Sequence, residues 1–168
     1  MIILSHSVPI SEEIRFVSKE TKKTCEDIFL QSVFLVRNNN SLDDEDRINL
    51  GSFAHTACNS KNPDIVWQIA YVESKFEMKV IGIPGHESLY GDKAVQYAKN
   101  IKPNQNVDIG PLQINWRAHG SQSGYPPQYF MSGTFSLEYL SKFILGPIVK
   151  GCKANWIDCY NSGNMKIY

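Results

Sequence analysis

At 168 residues, with zero formal net charge and 42% hydrophobic residues, the chain is long enough to bury one hydrophobic core as a compact domain. Acids and bases are mixed along it, which excludes a general polyanion binder, so nucleic acid is not an expected partner. No apolar run approaches the roughly 20 residues a membrane span requires. The histidines His6, His55, His86 and His119 are scattered and no C-x-x-C pair occurs, so neither a zinc site nor any other metal or cofactor is expected.

The opening "MIILSHSVPISEE" has no basic n-region and no adequate apolar h-region, so it does not read as a secretory signal. Two readings stay open: a cytoplasmic protein, or a chain that starts after a removed signal. Ser11 followed by Glu12 and Glu13 predicts a helix start. Ile14, Val17, Thr21, Cys25, Ile28, Ser32 and Val36 keep the helical period to about residue 36. "NNNSLDDED" is a polar linker, and Ser41 with Asp44 predicts a capped helix running to Cys58. After "NSKNPD", Asn62 and Pro63 suit the cap and first position of a third helix.

That third helix carries "WQIAYVESKFEMK". Val66, Ile69, Ala70 and Glu73 follow the i, i+3, i+4, i+7 spacing of a core-facing stripe, flanked by Ile65, Ile69, Val72 and Phe76. Glu73 therefore points inward or into a cleft. Residues 80–133 are rich in glycine, proline, asparagine and serine, with one helical piece over 90–99; a loop region this long in a compact domain is usually functional. Thr134 is placed to cap an apolar helix containing Phe135, Tyr139, Phe143 and Ile144, ended by Gly146 and Pro147. A last short helix carries "NWIDCYNSG". Strand-like alternation is scarce, so the chain reads as mainly α with a loop-built site.

An apolar setting disfavours a charged carboxylate and keeps its proton near neutral pH, which suits Glu73 to general-acid work. Neutralisation by Lys75 or Lys79 fits less well, because neither lies at i+3 or i+4. The four cysteines, Cys25, Cys58, Cys152 and Cys159, allow two disulfides in any of three pairings, or four reduced thiols packed as small hydrophobes.

Three stretches stand out in order: "VESKF" on the third helix, "VDIGPLQIN" at 107–115 and "CYNSGN" at 159–164. Together they resemble the goose-lysozyme-like lytic transglycosylases, which carry "ES" on a helix, then a G-L-M-Q-type loop, then Y-N-x-G. They are most similar to the small enzymes of type IV secretion and conjugation machines, with D-x-G-x-x-Q-I-N and C-Y-N-x-G. The match spans about residues 53–164. It implies a lysozyme-like domain over 51–168 with a long loop-built substrate cleft, and an N-terminal helical extension over 1–50 packed on it. Pro111 and Leu112 stand where relatives have Leu and Met, and Ser162 replaces Ala or Thr.

The resemblance implies cleavage of the β-1,4 bond between N-acetylmuramic acid and N-acetylglucosamine in peptidoglycan, with Glu73 as acid and then base. Most glycosidases use two carboxylates; this family typically uses one. Ser74 would bond near the sugar ring or Glu73, Gln113 and Asn115 would bind acetamido groups, Tyr160 would hold the Glu73 carboxyl and Asn161 would fix that corner. Gly110 would let loop and sugar approach closely. Asp108 would brace the loop, as the one nearby acid that could be a second carboxylate. Relatives also imply a Cys58–Cys159 disulfide, leaving Cys25–Cys152 by exclusion, and hence a periplasmic or other extracytoplasmic location. The expected partners are peptidoglycan strands and secretion-system components. Competing readings are a hydrolytic muramidase, a non-catalytic peptidoglycan-binding assembly factor, and a cytoplasmic helical scaffold with reduced cysteines. Asn115, whose amide cannot act as a base, favours the transglycosylase over the hydrolase.

Overall fold

The computed structural model describes residues 23–37, 42–144 and Tyr160. These residues are mostly helical with one small sheet. Helix α1, Cys25–Val36, starts from a capping box: Thr24 Oγ1 accepts from the Asp27 amide at 3.1 Å, and the Asp27 carboxylate accepts from the Thr24 amide at 3.0 Å. Thr24 is extended, so α1 begins at Cys25; the helix start expected at Ser11 lies outside the described residues.

Helix α2, Asp44–Cys58, is capped by Asp43, whose carboxylate accepts from the Asp46 amide at 2.7 Å. The expected cap was Ser41; an aspartate next to the first turn satisfies the same orphan amide and adds charge favourable to the helix dipole. Helix α3, Pro63–Ser74, begins with proline at its first position, as the sequence suggests.

The stretch read as loop holds the helical piece expected over 90–99, α4, Gly91–Ala98, and also four antiparallel strands: β1 Val80–Gly82, β2 Leu89–Tyr90, β3 Asp108–Ile109 and β4 Ile114–Asn115. Their order is β2-β1-β3-β4, with Ile81 opposite both Leu89 and Ile109 and Asp108 opposite Asn115. Strands of two or three residues are too short to display period-two alternation, which is why the sequence hides them.

Helix α5, Gly133–Tyr139, is capped by Ser132 and not by Thr134, and its last turn widens into a π-helical turn, Leu140–Ile144. Thr134 instead accepts from Thr56 Oγ1 of α2 at 3.3 Å. Gly133 lies against the Phe53 ring of α2, where an added Cβ would meet ring carbon at 2.7 Å. Glycine thus lets the two helices close on one another.

One buried cluster takes side chains from α1 to α5 and from the sheet. At its centre Phe29 of α1 meets Phe53, Trp67 and Phe76 at ring separations of 5.4, 4.3 and 5.5 Å. Truncating such a ring to alanine typically costs about 3–5 kcal/mol. A disulfide between Cys25 and Cys58 staples α1 to the end of α2. It excludes both pairings that the resemblance implied, Cys58–Cys159 and Cys25–Cys152. The physical reason is proximity: packing α1 along α2 brings the two Cα atoms to 5.9 Å, inside the range a disulfide spans. Cys152 and Cys159 lie outside the described residues, as do Gly146 and Pro147 and, except for Tyr160, the last helix expected from the sequence. No helix among the described residues is long and apolar enough to cross a membrane, and no group of three or more His, Cys, Asp or Glu among them could hold a metal ion.

Candidate functional site

The stripe that ends in Glu73 faces the core. Val66, Ile69 and Ala70 are buried, and Glu73, one turn further on, is half-buried at the last turn of α3. The second stripe fails at Val72. Val72 is 48% exposed, on a side of α3 that faces solvent. Phe76 is buried, but it reaches the core from outside the helix, in a left-handed conformation with φ of 63°. Lys75 before it is also left-handed, with φ of 53°. Each such non-glycine residue costs on the order of 1–2 kcal/mol.

Burial pushes the Glu73 carboxyl up from 4.5 to about 7, and the nearby Asp108 charge adds to the shift. Among the described residues no hydrogen-bond donor reaches that carboxyl. Neither adjacent lysine neutralises it: Lys75 is exposed, and Lys79 pairs with Glu45 of α2 at 2.7 Å.

"VDIGPLQIN" forms a β-hairpin, with residues 110–113 as the turn between β3 and β4. Gly110, with φ of 76°, lies where an added Cβ would stand 1.7 Å from the Phe130 carbonyl oxygen. The close approach this glycine makes is to the backbone of the neighbouring 3-10 turn. Gln113 is also left-handed, with φ of 43°, and its Nε2 donates to the Gly110 carbonyl at 2.8 Å. Its Oε1 lies over Gly82, where a Cβ would meet it at 2.5 Å.

Asn115 is engaged through both ends of its amide. Its Nδ2 donates to Asp108 Oδ1 at 2.8 Å and to Asn106 Oδ1 at 3.0 Å, while its Oδ1 accepts from the Ala118 amide at 2.9 Å. Both amide hydrogens and one of the two lone pairs of its oxygen are thus used inside the protein. Burial raises the Asp108 carboxyl and the Asn115 bond draws it back, so Asp108 is tied into the hairpin as a brace.

Ser74 Oγ lies 2.8 Å from the Pro111 carbonyl and 3.1 Å from that of Ala70. It fastens the end of α3 to the hairpin turn and does not turn toward Glu73, because an unpaired carbonyl in the tight turn is the better acceptor within reach. Tyr160 is helical and packs on the core. Its hydroxyl donates to the Leu112 carbonyl and not to the Glu73 carboxyl, for the same reason. Burial holds that phenol well above its ordinary range, and the Glu73 and Asp108 charges push in the same direction. Asn161 lies outside the described residues.

The fold thus brings Glu73, Ser74, Asp108, Gly110, Gln113, Asn115 and Tyr160 into one corner, between the end of α3 and the hairpin. Sequence reasoning missed Arg37, which follows α1. Its Nη1 donates to the Phe76 carbonyl at 3.3 Å, and its Nη2 donates to Glu77 Oε1 at 2.8 Å and lies 3.6 Å from Asp46. No local pattern signals a contact across 39 residues; the only hint was a cation placed directly after an apolar helix. Burial raises the Glu77 carboxyl even though Arg37 draws it down.

No protein-family model, curated protein or solved structure matches the chain.

Proposed function

We propose that the protein is a peptidoglycan lytic transglycosylase with a lysozyme-like fold, in which Glu73 acts as acid and then as base. The observation that carries this reading is a half-buried carboxyl raised to about 7 at the end of a helix, facing the hairpin of the second motif. A carboxyl so placed is protonated for part of the population at neutral pH and has no donor among the described residues to hold it as an anion.

In the first step the Glu73 proton passes to the bridging glycosidic oxygen as the bond to the muramic anomeric carbon breaks. In the second, the Glu73 carboxylate takes the proton of the muramic six-hydroxyl, whose oxygen bonds to that carbon. The product is an anhydro sugar, no water is consumed, and Glu73 ends protonated as it began. Asn115, committed to Asp108, Asn106 and Ala118, leaves no side-chain base at its position, which favours this route over hydrolysis. The Cys25–Cys58 disulfide supports an oxidising, extracytoplasmic setting. Service to a secretion or conjugation machine rests on the motif resemblance alone.

The test is mass spectrometry of the soluble products from purified peptidoglycan, for the wild-type protein and Glu73→Gln. Anhydro-muropeptides from wild type only, with a loss of about a thousandfold or more in the variant, are expected, since a positioned acid–base contributes roughly 10²–10⁴-fold in a single role. Products one water heavier identify a hydrolase and point to Asp108 as its second carboxylate. No products from either protein favour a peptidoglycan-binding role.

A further inference from the structure

Helix α3 closes through two consecutive left-handed residues, Lys75 and Phe76, where helices ordinarily use a single glycine. Two backbone bonds help: the Lys75 amide donates to the Tyr71 carbonyl at 3.0 Å and the Phe76 amide to that of Ala70 at 3.1 Å. The rest of the hold comes from another element. The Arg37 side chain, only 11% exposed, reaches from the end of α1 to the Phe76 carbonyl and the Glu77 carboxylate, with Asp46 of α2 behind it. The planar fork of a guanidinium can serve three such acceptors at once; an ammonium cannot match that geometry. From the same turn, Ser74 bonds to Pro111 of the hairpin, so the turn sets how α3 and the hairpin face each other.

We propose that Arg37 is a positioning residue for the Glu73 carboxyl: by holding the Phe76 carbonyl and the Glu77 carboxylate it keeps shut the left-handed turn that begins two residues after Glu73. The assignment rests on the reading of Glu73 as the acid. It predicts that the clamp is needed because the turn lacks glycine, and that glycine at position 75 makes it dispensable.

The experiment compares wild type, Arg37→Gln, Arg37→Lys and Arg37→Gln with Lys75→Gly, all in the full chain. Two quantities are read: the rate of peptidoglycan cleavage, and the titration of the Glu73 carboxyl by carbon-13 NMR, assigned with Glu73→Gln. Arg37→Gln is expected to lower kcat about ten- to a hundredfold with KM within about twofold, and to move the Glu73 midpoint down from about 7. Arg37→Lys should fall between, and adding Lys75→Gly should restore most of both quantities. A folded Arg37→Gln protein with an unmoved midpoint overturns the proposal, and so does a double variant no better than the single one. Should Arg37→Gln alone fail to fold, the double variant and Arg37→Lys carry the comparison. If the wild-type protein cleaves no peptidoglycan, the functional reading fails, while the titration still decides whether Arg37 positions Glu73.

Discussion

The end of α3 and the β3–β4 hairpin each present one carboxyl to the same corner, and they treat it differently. Both carboxyls are raised by burial. On the hairpin, Asp108 receives the Asn115 amide at 2.8 Å, which stabilises its charged form. At the helix end, no donor among the described residues reaches Glu73, and the Asp108 charge raises it further. Burial thus raises both carboxyls, but on Asp108 the Asn115 bond works against that rise, while on Glu73 a neighbouring charge adds to it. Among the described residues, the hydrogen bond that only Asp108 receives is what sets the two groups apart.

The strongest way to break this comparison is to deform the hairpin. Gly110→Ala must put a methyl group into the Phe130 carbonyl at a left-handed position, and is expected to cost roughly 3–5 kcal/mol, read by denaturant unfolding. A second break is made on the helical side by Cys25→Ser with Cys58→Ser. That change frees a staple spanning 33 residues and should lower stability by about 2–4 kcal/mol, read as a drop in the unfolding midpoint. Peptide mapping under non-reducing conditions should recover Cys25 linked to Cys58.

Subtler changes sharpen the comparison. Asp108→Asn removes the charge that lifts Glu73, so the Glu73 carboxyl should titrate lower and cleavage at pH 7 should fall about two- to fivefold; a loss above about a hundredfold would instead make Asp108 a second catalytic carboxylate. Smallest of all, Ser74→Ala removes the bond from α3 to Pro111 and is expected to cost about 1 kcal/mol.

How much of this was legible in the sequence differs between the same two regions. The Val66, Ile69, Ala70, Glu73 stripe could be read directly, because a helical period repeats over enough residues to be recognised. The place where the helix stops could not: nothing local in Lys75 or Phe76 announces a left-handed turn, whose hold comes from Arg37 on another helix. On the hairpin the chemistry-bearing residues were visible as a motif, while the strands were hidden by their brevity. The close approach of Gly110 to the Phe130 backbone is visible only in the fold. The cysteine pairing was likewise beyond the sequence, since spacing says nothing about which helices lie side by side. Ser74 and Tyr160 turned to backbone carbonyls of the hairpin turn because buried acceptors in tight turns compete for any nearby hydroxyl.

The pH dependence of stability follows from the same carboxyl. A folded-state value raised above the unfolded one favours folding in full below about 4.5, and that contribution is lost as pH rises through about 7. Glu73→Gln should therefore stabilise the protein at pH 8, by about 1–2 kcal/mol once solvent around a half-buried group is allowed for, and leave it unchanged at pH 4.

The most direct test of the account is the rate of peptidoglycan cleavage between pH 5 and 9 at limiting substrate, where the profile reports the free enzyme. An alkaline limb centred near the Glu73 value of about 7 is expected, moving to lower pH in Asp108→Asn. A rate that stays level from pH 6 to 9, or a limb that ignores Asp108→Asn, would contradict the claim that the protonated Glu73 carboxyl starts the reaction.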